Sequence, residues 1–126
     1  MQETITLCGS VKFKLFFDLV SEELQSRGNS VISLSVWGNG LIGYIGDSNK
    51  FKEILEETHR HKIDQSDSIF AIDVSRYIGK STKEEIEYAK SRGKNVFYFS
   101  HNDLNIVDAI AQRIYDSAYS DKLKIE

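Results

Sequence analysis

The sequence predicts an α/β fold in which helices cover both faces of a parallel sheet. Short, largely apolar, β-rich runs alternate with helical patterns along the chain. Every connection between two such runs is long enough to hold a helix. Connections of this kind join parallel strands through right-handed crossovers, so one continuous sheet with helices on both sides is expected.

Four segments have the composition of strands that are buried on both faces, because they are largely apolar and bounded by Gly, Ser, Asp or Asn. They are residues 4–7, 30–34, 68–74 and 95–99. The tail at residues 123–125 is a candidate fifth strand at the sheet edge, although three positions are too few to decide. We expect a flavodoxin-like three-layer sandwich with a parallel sheet of four or five strands in the order 2-1-3-4(-5).

Four helical patterns lie between and after these strands. Residues 12–27 carry apolar side chains at spacings of three and four, and the pattern stops at Gly28, a natural C-cap. The remaining helices are expected at residues 49–65, 81–92 and 103–119. Each strand except the last is therefore linked to the next by a helix.

The composition suits a single domain over residues 1–126. Of the 126 residues, 40% are hydrophobic, and no disulfide or metal is needed to stabilise a core of this size. The net charge of −3 is a poor match for a protein that binds duplex DNA or an anionic membrane. No apolar run approaches the roughly 18 residues of a membrane span, and the first ten residues lack a secretory signal. We expect a cytoplasmic protein with neither a membrane nor a nucleic acid polymer as partner.

The cysteine and histidine residues indicate no metal site. Cys8 is the only cysteine, so it cannot form an internal disulfide, and a reducing compartment is expected. His59 and His61 lie two positions apart within a helical pattern, and residues at that spacing do not share a helix face. No third ligand is near them in the sequence. The sequence indicates neither a metal nor a cofactor.

The first strand ends in a candidate anion cradle. Ligands of open parallel sheets bind beyond the carboxyl ends of the strands. Cys8, Gly9 and Ser10 lie at that end and open a helix whose first turn holds Lys12. Unpaired helix-start amides, a glycine, a hydroxyl and an ammonium group together suit a phosphate. A plain turn in which Ser10 caps the helix explains the pattern equally well.

The third helix carries the candidate catalytic carboxylate. Ser81 and Glu84 have the spacing of a capping box, which predicts Ser81 as the N-cap. At roughly 100° per residue, Glu85 falls about 60° from the centre of the stripe that faces the sheet. A partly shielded, ionised carboxylate at the ligand edge suits nucleophilic attack on an anomeric carbon. Complementing the helix dipole is an equally good explanation of an acidic residue there.

Asp73 and two aromatic residues complete the set of candidates. Asp73 ends the third strand twelve residues before Glu85, so the two carboxylates can divide nucleophile and proton-handling roles. A turn-forming Asp is the plainer alternative. Trp37 and Tyr44 lie in a glycine-rich connection, where they stack on a flat ligand or pack on the protein.

Three stretches together resemble a known family over roughly residues 4–99. They are Leu7-Cys8-Gly9-Ser10-Val11-Lys12-Phe13, then His59 with Lys62-Ile63-Asp64 and Asp67, and finally Tyr77-Ile78-Gly79-Lys80-Ser81-Thr82 followed by Glu85-Ile86-Glu87-Tyr88-Ala89. The family is that of nucleoside 2-deoxyribosyltransferases and nucleoside 5′-monophosphate N-glycosidases, and the likeness is greatest to its short bacterial and phage relatives.

The resemblance implies a hydrolase or transferase that cleaves the N-glycosidic bond of a nucleoside or nucleotide. It places Glu85 as the nucleophile that attacks C1′ and displaces the base. The Gly9-Ser10 turn would hold the sugar or its 5′-phosphate. It also implies a homodimer or larger oligomer in which a neighbouring subunit completes each site. The remaining candidate substrate contacts are Cys8, Lys12, Trp37, Tyr44, His59, Tyr77, Gly79 and Ser81.

Two positions depart from the pattern of these enzymes. Deoxyribosyltransferases carry an aspartate six positions before the nucleophile, where this chain has Gly79. The relatives usually have glycine where this chain has Arg76. Because the departure at Gly79 removes a proton donor, a non-catalytic nucleotide-binding sensor is the alternative function.

Overall fold

A parallel sheet forms the centre of the protein in the computed structural model, which describes residues 2–33 and 48–125. The strands in these ranges are β1 (Thr4–Gly9), β2 (Ser30–Ser33), β3 (Ser68–Ile72) and β4 (Asn95–Tyr98). Every pairing is parallel, and the order across the sheet is β2-β1-β3-β4. The predicted α/β class and the strand order 2-1-3-4 are confirmed.

The helices of the described chain are α1 (Lys14–Ser26), α2 (Ser48–Asp64), α3 (Lys80–Ser91) and α4 (Ile106–Ile125). Short 3₁₀ turns lie at Val11–Phe13, Val74–Arg76 and Asp103–Asn105. The candidate fifth strand at residues 123–125 is wrong, because α4 continues through that segment. No glycine or proline follows Gly93 in the sequence, so no helix-breaking residue ends α4 before the tail.

The alternation of side chains along β1 builds a separate core on each face of the sheet. Ile5 and Leu7 point to the core that contains residues of α1 and α4. Cys8 points to the opposite core, which contains residues of α2 and α3. All five residues of β3 are buried, as expected of a strand covered on both sides. These two cores give the predicted three layers.

The end of α1 confirms the predicted helix stop. Arg27 is the C-cap, and Gly28 follows with a φ of +92°, a conformation that residues with a Cβ adopt only under strain. Within residues 2–33 and 48–125, no helix has both the length and the apolar character that crossing a membrane requires.

Candidate active site

The site lies where β1 ends and the chain turns into α1. Ser10 is the N-cap of the 3₁₀ turn Val11–Phe13, and its side-chain oxygen accepts a hydrogen bond from the Lys12 amide at 3.4 Å. The predicted capping role of Ser10 is confirmed. The Phe13 amide donates to the Ser10 carbonyl oxygen at 3.0 Å, so two of the first amides of this turn already have partners in Ser10.

A cavity of about 250 Å³ joins this turn to the start of α3. It is smaller than the roughly 300–1,000 Å³ of sites for drug-sized ligands, and it suits one part of a nucleotide such as the sugar. The strand end and the helix start, predicted as the ligand edge, therefore meet around one space. Its lining residues are Gly9, Ser10, Val11, Gly79, Lys80, Ser81 and Thr82.

The two glycines that line the cavity differ in how much space they leave for a side chain. A Cβ on Gly9 would lie 3.1 Å from the Ile72 carbonyl oxygen and 3.1 Å from ring atoms of Phe17, so a side chain there requires these neighbours to shift by a few tenths of an ångström. Outside its chain neighbours, a Cβ on Gly79 would meet nothing closer than the Tyr77 hydroxyl at 3.7 Å. The wall at Gly9 is therefore crowded, whereas the position of Gly79 has room for a side chain.

The predicted capping box at the start of α3 is wrong. The N-cap is Gly79, the first helical residue is Lys80, and no side chain caps the helix. The Gly79 carbonyl accepts the amide of Lys83 at 3.0 Å, so the first helical turn closes two residues earlier than a Ser81 cap would allow. Ser81 therefore lies in the first turn of α3, where it lines the cavity instead of capping the helix.

Glu85 lies at the edge of the buried face of α3, as the helical spacing predicts. Ile86 and Ala89 are buried, whereas Glu84 and Glu87 are exposed. The side chain of Glu85 is 12% exposed. It follows Ser81 and Thr82, both cavity-lining residues, by four and three positions, so it lies one helical turn beyond them on the same side of α3.

His59 of α2 contacts this carboxylate. Its Nδ1 lies 3.0 Å from Oε2 of Glu85, and the His59 side chain is 15% exposed. Oε1 of Glu85 has no hydrogen-bond partner within the part of the chain that the structure describes. The buried Nε2 of His59 likewise has none there. The pair therefore holds one carboxylate oxygen and leaves the second one available.

The resemblance placed His59 among the substrate contacts, but its pairing with Glu85 was not predicted. The two residues are 26 positions apart on different helices. One signal was present in the sequence: His59 precedes Ile63 by four positions, and Ile63 is fully buried, so both lie on the inward side of α2.

Cys8 lies in the core and not in the cavity wall. Its side chain is fully buried among residues of α2 and α3. Burial raises the pKa of the thiol well above its ordinary value, and the negative charge of Glu85 raises it further. Cys8 is therefore a neutral thiol, and its nearness to Glu85 shows that the carboxylate borders the core.

Asp73 contacts Ser100 on the loop after β4. Its Oδ1 accepts the Ser100 amide at 2.8 Å, and its Oδ2 accepts the Ser100 hydroxyl at 2.6 Å. Asp73 is 4% exposed. The structure thus brings Asp73 to the predicted edge of the sheet, where both oxygens join two loops and neither bonds to Glu85.

The segment between Asp73 and Gly79 is strained and carries an exposed tyrosine. Ser75 and Arg76 have φ angles of +55° and +65°, which a residue with a Cβ adopts at a cost of roughly 1–2 kcal/mol. Tyr77 follows and is 46% exposed. The Nζ of Lys12 lies 3.3 Å from the centre of its ring, a cation–π contact that joins this segment to the first turn.

The two candidate aromatic residues, Trp37 and Tyr44, lie outside the described residues. Among the described residues, no three His, Cys, Asp or Glu side chains come together as metal ligands. Asp64, near the histidines, instead accepts hydrogen bonds from Tyr88 and Arg92.

Comparison of the sequence with protein-family models gives no match, and comparison with curated proteins gives none either. The resemblance to deoxyribosyltransferases and N-glycosidases therefore depends on the motifs of this chain. The activity that it implies is a proposal, which the geometry of the site has to support.

Proposed function

We propose that the protein cleaves the N-glycosidic bond of a nucleoside or nucleoside 5′-monophosphate, with Glu85 as the nucleophile. One observation carries the proposal: a largely shielded carboxylate lies one helical turn beyond a cavity walled by glycine backbone, hydroxyls and helix-start amides. A surface carboxylate placed only to complement the helix dipole needs neither the shielding nor the cavity.

The cavity suits a sugar and its 5′-phosphate. The turn after Ser10 and the start of α3 both line it, and the first backbone N–H groups of α3, which have no partner within the helix, suit phosphate oxygens. Ser10 and Ser81 add hydroxyl groups that hydrogen-bond to a sugar or phosphate. Bare backbone at Gly9 lets the ligand approach the chain closely.

In the proposed reaction, Oε1 of Glu85 attacks C1′ while the C1′–N bond breaks and its electron pair leaves with the base. The hydrogen bond from His59 to Oε2 holds the carboxylate in one orientation, which reduces the entropy lost on reaching the transition state. A covalent glycosyl-enzyme results. Water then releases the sugar, or a second base accepts it.

The test is the release of free base from a panel of ribo- and deoxyribonucleosides and their 5′-monophosphates, measured by liquid chromatography. We expect Glu85→Gln to lose on the order of 1,000-fold or more in rate, because an amide is a poor nucleophile. Glu87→Gln is the matched control, since Glu87 is exposed two positions along the same helix. Equal release by the wild type and Glu85→Gln would refute the assignment.

A non-catalytic nucleotide sensor is the second candidate, and Gly79 is the observation that favours it. Position 79 lines the cavity yet carries no group that protonates a departing base. A sensor binds nucleoside monophosphates with measurable heat in a calorimeter and releases no base over hours. An enzyme binds the same ligands and releases base.

We also propose a homodimer or larger oligomer in the cytoplasm. Three large side chains on α4 support self-association because they are more than half exposed: Ile114, Tyr115 and Tyr119. The single cysteine fits a reducing compartment. Light scattering coupled to size exclusion tests the oligomer, and a monomer at all concentrations would contradict it.

A further inference from the structure

The proposed bond cleavage leaves one requirement unmet, which is a proton for the departing base. A base nitrogen that takes the electron pair of the C1′–N bond leaves far faster when an acid protonates it. The carboxyl groups nearest to Gly79 in the sequence do not serve. Glu85 is the nucleophile, both oxygens of Asp73 accept hydrogen bonds from Ser100, and Glu84 is exposed on the outer side of α3.

Tyr77 places a phenolic hydroxyl beside Gly79. Its oxygen is the atom nearest to the position of a Cβ on Gly79, at 3.7 Å, with a ring carbon of the same residue at 3.9 Å. Gly79 itself lines the cavity. The Tyr77 hydroxyl therefore reaches the space that a side chain at position 79 would fill. A phenol is also a much stronger acid than the aliphatic hydroxyls of Ser10 and Ser81.

Lys12 fixes the ring and supplies a positive charge beside it. Its Nζ lies 3.3 Å from the ring centre, and the Phe13 ring packs edge-on against Tyr77 with the ring centres 6.0 Å apart. The ammonium group stabilises negative charge that develops on the phenol as it gives up a proton. At 46% exposed, Tyr77 still reaches water.

We propose that Tyr77 is the catalytic acid of the bond cleavage, an inference that rests on the proposed function. In the first step Glu85 bonds to C1′, the C1′–N electron pair goes to the base, and the Tyr77 O–H proton moves to that base nitrogen. In the second step water bonds to C1′, the Glu85–C1′ bond breaks, and the proton of the water returns to the Tyr77 oxygen. The sum is one water consumed and one base and one sugar released, with Glu85 and Tyr77 restored.

The test compares two leaving groups. One substrate is the nucleotide of the panel that the wild type cleaves fastest, whose base needs a proton. The other is the 4-nitrophenyl glycoside 5-phosphate of the same sugar, whose nitrophenolate leaves without one. We expect Tyr77→Phe to slow nucleotide cleavage by about 100-fold and nitrophenyl glycoside cleavage by less than about threefold. The control Tyr98→Phe, on β4 beside the core of α2 and α3, retains both rates.

Each outcome bears on the inference. Equal losses on both substrates, or no loss on either, would overturn the role of Tyr77 while leaving Glu85 as the nucleophile. A wild type that cleaves neither substrate would overturn the proposed function and this inference with it. Recovery of nucleotide cleavage in Tyr77→Phe/Gly79→Asp would support the inference, because the new carboxyl group occupies the space beside the lost hydroxyl.

Discussion

Glu23 and Glu85 are two shielded glutamates of this protein with different surroundings. Their side chains are 9% and 12% exposed. Glu23 lies between α1 and α4, where Arg27 and Arg113 each donate to one of its oxygens at 2.8 Å. Within residues 2–33 and 48–125, the one side chain that bonds to Glu85 is His59, and a cavity lies at the start of its helix. The two carboxylates are shielded to a similar degree, so their hydrogen-bond partners, and not their burial, distinguish them.

The pKa of Glu23 shows what its partners do. Burial raises this pKa, but the hydrogen bonds from Arg113 and Arg27 and the charges of these two residues outweigh burial, so the net pKa lies below the ordinary value of 4.5. A carboxylate in this state is ionised and fully engaged. Glu23 joins α1 to α4, and each of its oxygens accepts a hydrogen bond from an arginine.

Among the substitutions that distinguish Glu85 from Glu23, we expect His59→Phe to have the largest effect. His59→Phe removes the hydrogen bond to Glu85, and we expect kcat for base release to fall about 10- to 100-fold, as for the loss of one hydrogen bond to a charged group. KM stays near the wild-type value because the cavity walls are intact. His59→Asn, which places an amide near the position of Nδ1, should recover part of the loss. A rise in KM with kcat unchanged would contradict the orienting role of His59.

Glu23→Gln is expected to give the opposite pattern. It should lower the free energy of unfolding by about 2 kcal/mol, since two charge-assisted hydrogen bonds weaken, while base release per folded molecule is unchanged. The wild-type contribution depends on pH. Because the folded pKa is lowered, this contribution is complete above pH 4.5 and is lost as the pH falls through the folded pKa. Denaturant titrations of both proteins between pH 3 and 7 measure this, and curves that stay equally far apart at every pH would contradict it.

The smallest effect is expected at Arg76, next to the site. Its φ of +65° suits glycine, the residue that the resembling enzymes usually carry at this position. Arg76→Gly relieves the strain of a Cβ but adds freedom to the unfolded chain, so we expect a net gain of about 0.5 kcal/mol. Thermal unfolding measures the gain. Substitution by Ala, which keeps the Cβ, is the control and should bring no gain.

The fold was predictable from the sequence because its signals are local. Alternating apolar runs and helical spacings predicted the strands and helices, and Gly28 predicted the end of α1. The strand order 2-1-3-4 came from the flavodoxin-like arrangement that such alternation favours. The fifth strand was wrong because a three-residue run carries too little periodicity to tell a strand from the end of a helix. The capping box was wrong because the Ser81 to Glu84 spacing also occurs inside a helix, and the N-cap lies two residues earlier, at Gly79.

The candidate site was predictable only along each element separately. Helical spacing placed Glu85 at the edge of the buried face, since that depends on α3 alone. The contacts of Glu85 with His59 and of Asp73 with Ser100 join residues 26 and 27 positions apart. They depend on how helices and loops are rotated against one another, which residue spacing does not specify. The positive φ angles of Ser75 and Arg76 likewise have no signal in their residue types.

The crowding at Gly9 restricts how this protein can evolve. Any amino-acid substitution there adds at least a Cβ, which would crowd the carbonyl oxygen of Ile72 and the Phe17 ring. Selection for folding alone thus favours glycine at this position, whatever the cavity binds. Mutational tolerance at Gly9 therefore reports on packing and not on the proposed chemistry of Glu85.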